Sequence, residues 1–133
     1  MTDEELIEKA KAYRAHSYSP YSHFPVGAAV LAASGKVYGG CNIENSSYPL
    51  GNCAERTAIF KAVSEGERDF TAIAIVADTP GPCSPCGACR QVMLELGGAA
   101  LPVILGNLAG AVASTDAAAL LPGAFALNDL PRV

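Results

Sequence analysis

The sequence contains no tryptophan, little charge and no run of basic residues. Lysine and arginine number 9 and aspartate and glutamate 13, so the net charge is −4. A protein that binds nucleic acid through its phosphate backbone needs clustered positive charge, and this composition argues against that class. Only 17% of the residues are charged and 50% are apolar, which is typical of a compact globular protein rather than a disordered chain.

Long apolar runs are also missing. Glycine, proline or charge interrupts each stretch before it reaches the roughly 18 residues that a membrane helix needs, so we expect no membrane span. The acidic start Met1-Thr2-Asp3-Glu4-Glu5 lacks the features of a signal peptide, which predicts a cytoplasmic protein. A chain of 133 residues has the size of one domain, residues 1–133, and its low charge and abundant alanine favour an oligomer.

The cysteines do not suit a disulfide framework. They number five, and Cys83, Cys86 and Cys89 follow one another at intervals of three residues. In a chain without a secretion signal, this spacing favours metal ligands in a reducing compartment.

Apolar periodicity and turn residues predict an α/β fold. A capping box of Thr2 and Glu5 begins the first helix. Gly39 and Gly40 weaken the second predicted strand, or mark a bulge or a close approach to the backbone. The predicted elements are helix 3–16, strands 26–33 and 37–42, a helix beginning near residue 53 and ended by Gly66, strand 71–77, helix 86–96, strands 101–105 and 111–113, and a short helix 116–121. This order predicts a three-layer α/β/α sandwich with a central mixed five-stranded sheet.

The stretch Gly51-Asn52-Cys53-Ala54-Glu55-Arg56 places a thiol and a carboxylate two residues apart at the predicted start of a helix. Unpaired N–H groups and the positive end of the helix dipole favour the thiolate of Cys53 at that position. Glu55 lies within the same first turn, and we therefore expect it close to whatever Cys53 binds.

Two further thiols follow about thirty residues later in Pro85-Cys86-Gly87-Ala88-Cys89. Cys86 and Cys89 are near neighbours on one face of a helix. Together with Cys53 they would supply three ligands to Zn²⁺, which leaves the fourth tetrahedral position open as in catalytic zinc sites. Thiolates without a redox partner, beside a carboxylate, favour zinc over iron or copper. We expect the Glu55 carboxylate beside this open position, which is a catalytic arrangement.

Other ligand sets are compatible with the spacing. Pro82-Cys83-Ser84-Pro85-Cys86 also fits the P-C-x-x-C pattern, although Pro85 would resist the helical turn that brings Cys83 and Cys86 together. Cys83 could instead be a fourth thiolate and close the site into a structural zinc, which would leave Glu55 without a role.

Three thiolates give the zinc site a net charge of −1. Two helix N-termini would offset part of it, and Arg56 either donates to a thiolate from outside the ligand set or is a surface arginine.

The combination of Cys53-Ala54-Glu55 with Pro85-Cys86-x-x-Cys89 resembles the zinc nucleoside deaminase signature in its tri-cysteine form. Longer stretches are similar to the small homotetrameric cytidine deaminases, and only 106–119 matches loosely. The matching stretches are 19–28, 40–45, 52–56, 84–91 and 120–125.

This resemblance implies hydrolytic deamination of cytidine and 2′-deoxycytidine to uridine and 2′-deoxyuridine in pyrimidine salvage, with one Zn²⁺ per subunit. It implies that Cys53, Cys86 and Cys89 bind the zinc and that Glu55 is the catalytic proton shuttle. It also implies that Phe24 stacks on the pyrimidine and that Asn42 and Glu44 hydrogen-bond the ribose. It also implies a homotetramer with shared active sites, in which Phe125 closes a neighbouring subunit's pocket and Tyr48 lies near the same boundary. A carboxylate at the sugar 3′-hydroxyl would repel a continuing nucleic-acid strand, so a free nucleoside is favoured.

Two alternative functions are consistent with the residues. The protein could deaminate another aminopyrimidine, such as a nucleoside antibiotic or a nucleotide. It could also be a non-catalytic zinc module that binds RNA or protein, although the acidic charge and Glu55 argue against this.

By residue type alone, Phe24 would more often belong to a core and Asn42 and Glu44 to a solvated loop. His16 and His23 have no partner at ligand spacing, and Cys41 is expected to be a small buried residue.

Overall fold

The computed structural model describes residues 1–126 and contains a mixed five-stranded sheet with helices on both faces. In chain order the elements are α1 (Asp3–Arg14), β1 (Val26–Ala32), β2 (Val37–Cys41), α2 (Ala54–Ser64), β3 (Phe70–Ala77), α3 (Gly87–Val92), β4 (Pro102–Asn107), β5 (Val112–Asp116) and α4 (Ala117–Leu120). The strand order is β2-β1-β3-β4-β5. Strands β3 and β4 are parallel, and the other neighbouring pairs are antiparallel. The predicted three-layer sandwich is confirmed.

Strand β3 is buried on both faces, as its continuously apolar sequence requires. Successive side chains of a strand point to opposite faces, so Ile73 and Ile75 pack with α2 and α3 while Ala74 and Val76 pack with α1. The larger core therefore lies between the sheet and the helices α2 and α3. No helix within residues 1–126 combines the length and the apolar character that crossing a membrane requires.

Most element boundaries lie within two residues of the sequence prediction, and three of the differences have a clear structural cause. Helix α1 ends at Arg14, because the N–H groups of His16 and Ser17 bond back over three residues, to the carbonyls of Tyr13 and Arg14, instead of continuing the helix. The third helix is α-helical only to Val92 and finishes in a π-helical turn, Met93–Gly97. Strand β5 is longer than the predicted 111–113, because it pairs with β4 over most of its length.

Two neighbouring glycines let helices approach β2 from both sides. A Cβ on Gly39 would lie 1.9 Å from the Tyr13 ring of α1, and a Cβ on Gly40 would lie 2.5 Å from the Ala58 backbone nitrogen of α2. The register between β1 and β2 is continuous, so these glycines do not mark a bulge. The predicted close approach to the backbone at Gly39 and Gly40 is confirmed. The approach sets the distance of α2 from the sheet, and α2 carries Glu55.

Replacing Gly40 with alanine should destabilise the fold by about 1–3 kcal/mol, the usual cost of overpacking. The added carbon would meet backbone atoms of α2, which cannot rotate away, so the helix must shift. Gly81→Ala is the matched control, since a Cβ there meets no atom within 4 Å, and we expect a change below about 0.5 kcal/mol. Urea unfolding measures both variants. Equal stability of the two would contradict the close-approach explanation.

Candidate active site

Two helices begin side by side at the candidate site. Cys53 is the N-cap residue of α2 and Cys86 is the N-cap residue of α3, and neither side chain makes a capping hydrogen bond. Their sulfur atoms are therefore available to other partners. The positive ends of the two helix dipoles favour negative charge at these positions.

The sulfur atoms of Cys53, Cys86 and Cys89 lie within 4.8 Å of one another and form a group that could hold a metal ion. The Cys53 and Cys86 sulfurs are 3.7 Å apart. Sulfurs bound tetrahedrally at the usual Zn–S distance of about 2.3 Å lie roughly 3.8 Å apart, so the spacing fits zinc. Cys83 does not belong to this group. The geometry therefore agrees with the pairing of Cys86 with Cys89 and not with a site of four thiolates.

Positive charge beside the three sulfurs comes from Arg56. Its Nη2 donates to the Cys53 sulfur at 3.2 Å, and its buried Nε–H has no hydrogen-bond partner among residues 1–126. The pKa of Cys53 is lowered, chiefly by a hydrogen bond from Cys89 and then by Arg56. The bond to Cys53 correspondingly raises the pKa of Cys89. A cluster that already favours a thiolate fits a divalent cation, which binds thiolates rather than thiols.

Glu55 lies in the first turn of α2 and is only 4% exposed. Burial raises the pKa of its carboxyl group, and the side chain is within hydrogen-bond reach of Cys89. The residue lines a cavity of about 320 Å³ together with Cys53 and Cys86. A buried carboxyl group with a raised pKa, beside a metal-binding group, has the properties of a general acid–base.

Three of the five residues predicted to bind substrate line the same cavity. Phe24, Asn42 and Glu44 all contribute to its wall, and Phe24 is 41% exposed. Phe24 is therefore not a core residue. Asn42 and Glu44 are not freely solvated either, since their side chains hold the loop that precedes β1. That second role was missed by the sequence analysis.

Cys83 lines the cavity as well, although it is no part of the metal-binding group. Burial and the nearby charge of Glu55 raise the pKa of its thiol to about 11, so it is protonated at neutral pH. Cys41 is buried at the end of β2, as expected. Neither His16 nor His23 joins a metal-binding group among the described residues.

Tyr48 and Phe125 lie apart from this cavity within one chain. Tyr48 is 77% exposed and lines an adjoining cavity of about 470 Å³, which it shares with Arg56. Phe125 is 58% exposed, and its backbone carbonyl accepts a hydrogen bond from Gln91 at 3.0 Å. The roles implied for both side chains need a second chain and stay predictions.

Comparison with known proteins agrees with this geometry. A sequence model described as the cytidine and deoxycytidylate deaminase zinc-binding region matches residues 1–105. The chain belongs to the cytidine and deoxycytidylate deaminase family. A cytidine deaminase from Sporosarcina psychrophila is 59% identical over 130 residues, covering 98% of this chain and 96% of the relative. One from Halalkalibacterium halodurans is 56% identical over 98% of each chain.

Solved structures of family members show the same fold. A crystal structure of cytidine deaminase from Burkholderia pseudomallei is 57% identical and superposes with a TM-score of 0.92, covering 94% of this chain and 100% of that one. A cytidine deaminase from Mycobacterium tuberculosis is 39% identical, with a TM-score of 0.82, and the match covers 96% of this chain and 100% of that one. The predictions of the family, of the α/β fold and of a deaminase enzyme are confirmed.

Removing the guanidinium group should weaken metal binding. In Arg56→Ala, the thiolate of Cys53 loses a hydrogen bond and a compensating charge, and we expect zinc affinity to fall about 10–100-fold. Arg56→Lys keeps the charge and should lie between that variant and the wild type. Competition with a chromophoric chelator measures the affinity. The control is Arg68→Ala, which removes an arginine from the loop between α2 and β3. Unchanged affinity in Arg56→Ala would mean that Arg56 is only a surface arginine.

Proposed function

We propose that this protein hydrolyses cytidine and 2′-deoxycytidine to uridine and 2′-deoxyuridine, releasing ammonia, in cytoplasmic pyrimidine salvage. The observation that carries the proposal is the buried Glu55 beside the Cys53, Cys86 and Cys89 group in one cavity. Relatives with 56% and 59% identity across nearly the whole chain are named cytidine deaminases. The whole chain, residues 1–133, would act as a single domain.

One Zn²⁺ per chain would be held by Cys53, Cys86 and Cys89. The separation of 3.7 Å between the first two sulfurs and the Arg56 hydrogen bond to Cys53 support this ligand set. When bound, zinc supplies a Lewis acid that lowers the pKa of a water molecule. Arg56 would remain outside the ligand set and offset the charge of the three thiolates.

Glu55 would move the protons of the reaction. Hydrolysis replaces the C4–N bond of cytosine by a C4–O bond, so a proton must leave water and the departing amine must gain one. Glu55 would take one proton from water and deliver it to N3. It would then take the second proton, from the hydroxyl group now bonded to C4, and give it to the amine, which leaves as ammonia while C4–OH becomes C4=O. Its burial supports this role, because a carboxyl group with a raised pKa exchanges a proton at neutral pH more readily than an exposed one.

Phe24, Asn42 and Glu44 would hold the nucleoside. The exposed ring of Phe24 offers a stacking surface for the pyrimidine. Hydrogen bonds from Ser22 and Tyr21 lower the pKa of Glu44, so its carboxylate is an acceptor for sugar hydroxyls. A carboxylate at the 3′-hydroxyl would exclude a continuing strand, which favours a free nucleoside over a polynucleotide.

The assembly would be a homotetramer with shared active sites, in which Phe125 and Tyr48 of one chain complete a neighbour's pocket. The support for it is the exposure of large apolar side chains, with Leu50 at 73%, Tyr48 at 77% and Phe125 at 58%. A native mass of four chains of 13.6 kDa is the expected result, and a monomer at micromolar concentration would refute it.

Loss of the Glu55 carboxylate tests the proposed chemistry. Zinc-loaded Glu55→Gln should keep its metal but lose about two to four orders of magnitude in the rate of cytidine deamination, the range for removing a general acid–base. The matched control is Glu65→Gln, at the exposed C-cap position of α2, and this variant should retain wild-type activity. Absorbance assays with cytidine, deoxycytidine, dCMP and adenosine measure turnover.

Each outcome of that assay has a distinct meaning. Turnover of cytidine and deoxycytidine, with none of dCMP, supports a nucleoside deaminase. Turnover of dCMP alone would point to a nucleotide enzyme. Zinc-loaded protein that acts on none of the four compounds would favour the non-catalytic binding module, and a Glu55→Gln rate within threefold of wild type would refute the acid–base role.

A further inference from the structure

The loop before β1, residues 17–25, carries Phe24 into the cavity without being fixed by packing. Tyr21 and Phe24 are 46% and 41% exposed, and Ser22 and His23 are also exposed. His23 has a backbone φ of 55°, a left-handed conformation that is uncommon for a residue other than glycine. A loop with this little burial and one unfavourable backbone angle needs hydrogen bonds to keep a single shape.

Two side chains from beyond the end of β2 supply part of that support. Asn42 donates from Nδ2 to the carbonyl of Phe24 at 2.8 Å and accepts from the Val26 N–H at 2.8 Å. Glu44 accepts at Oε1 from the N–H groups of Tyr21 and Ser22, at 3.0 and 3.1 Å. The carbonyl of Phe24 is thus fixed by Asn42, whereas neither residue reaches its N–H group.

Ser22 completes this support with its hydroxyl group. The Ser22 Oγ donates to Oε2 of Glu44 and accepts from the N–H of Phe24 at 3.1 Å. A hydroxyl can do both at once, because it has one donor and two acceptor lone pairs. Ser22, Phe24 and Glu44 all line the cavity that contains Glu55. One hydroxyl therefore connects the carboxylate of Glu44 to the backbone of Phe24, and both of these residues line the cavity.

We propose that Ser22 is a positioning residue, whose hydroxyl joins the carboxylate of Glu44 to the backbone of Phe24 and holds the two in a fixed relation. This inference rests on the proposed function, in which Glu44 binds the sugar and Phe24 the base. Ser22 itself need not touch the reacting atoms. It sets the distance between two contacts that a single nucleoside must make together.

The expected consequence lies in binding rather than in chemistry. Without the hydroxyl, the exposed Phe24 N–H can bond to water, so the fold loses little stability. The Phe24 ring and the Glu44 carboxylate would then lose their direct link and keep only the bonds of Asn42 and of the Tyr21 and Ser22 N–H groups, so the substrate must restrict their remaining motion when it binds. Glu55 and the three cysteines lie on α2, on α3 or immediately before them, outside this loop, so the chemical step should change less.

The test compares Ser22→Ala with Ser22→Thr in the zinc-loaded protein. For Ser22→Ala we expect KM for cytidine to rise about tenfold with kcat within about threefold of wild type, the effect of one hydrogen bond to a charged group. Ser22→Thr keeps the hydroxyl at an exposed position and should restore most of the affinity. Ser114→Ala, an exposed serine on β5 at the opposite edge strand, is the control for loss of a hydroxyl elsewhere.

Hydrogen exchange gives a second readout that does not depend on turnover. The peptide that contains residues 21–26 should exchange about fivefold faster in Ser22→Ala than in wild type, since one of its amides loses a hydrogen bond. A rise in KM together with faster exchange, and reversal of both by threonine, would support the inference. Wild-type KM in Ser22→Ala would overturn it, and so would an equal loss in Ser22→Thr. Failure of the proposed function is distinguishable, because it would appear as absent turnover in the wild-type protein.

Discussion

The structure depends on keeping three sulfur atoms together beside a buried carboxylate. Such a group concentrates negative charge, and burial alone would force its members to take up protons. Helix N-termini at Cys53 and Cys86 and the guanidinium of Arg56 supply the opposing partial and full positive charges. Because of these positive charges, the three cysteines and Glu55 form a group that can bind a divalent cation. Without them, all four side chains would be protonated and neutral.

The sheet determines where these charges meet. The helix that carries Glu55 can lie close to β2 only because Gly40 has no side chain, and the second thiol-bearing helix follows β3, which is buried on both faces. The two helix N-termini therefore come from separate segments of the chain but reach one place. The 32 residues between Cys53 and Cys86 supply no further sulfur to the metal-binding group.

Much of this could be predicted from the sequence, because local chemistry was decisive. The spacing of Cys86 and Cys89, with Pro85 before them, fits only one helical register well, and Glu55 follows Cys53 within one turn. The alternation of apolar runs and glycines likewise sufficed for the layer order. The π-helical end of the third helix and the full length of β5 were not predictable, since tertiary contacts override local preference there.

The hydrogen bonds of the loop before β1 were also invisible in the sequence. Ser22 and Glu44 are 22 positions apart, and nothing local to either residue indicates that they meet. Asn42 has a double character as well, because its amide bonds to Phe24 and Val26 while the residue also lines the cavity. Residue type predicted polar groups for a substrate site, and the structure places Asn42 and Glu44 in the wall of the cavity. It could not indicate that the same groups also hold the loop before β1 by hydrogen bonds.

X-ray absorption at the zinc edge of the zinc-loaded protein is the most direct test of the central claim. The account predicts three sulfur neighbours at about 2.3 Å and one oxygen or nitrogen neighbour at about 2.0–2.1 Å, with one zinc per chain. Four sulfur neighbours would place Cys83 in the ligand set and leave no position for water. That result would contradict a catalytic metal centre.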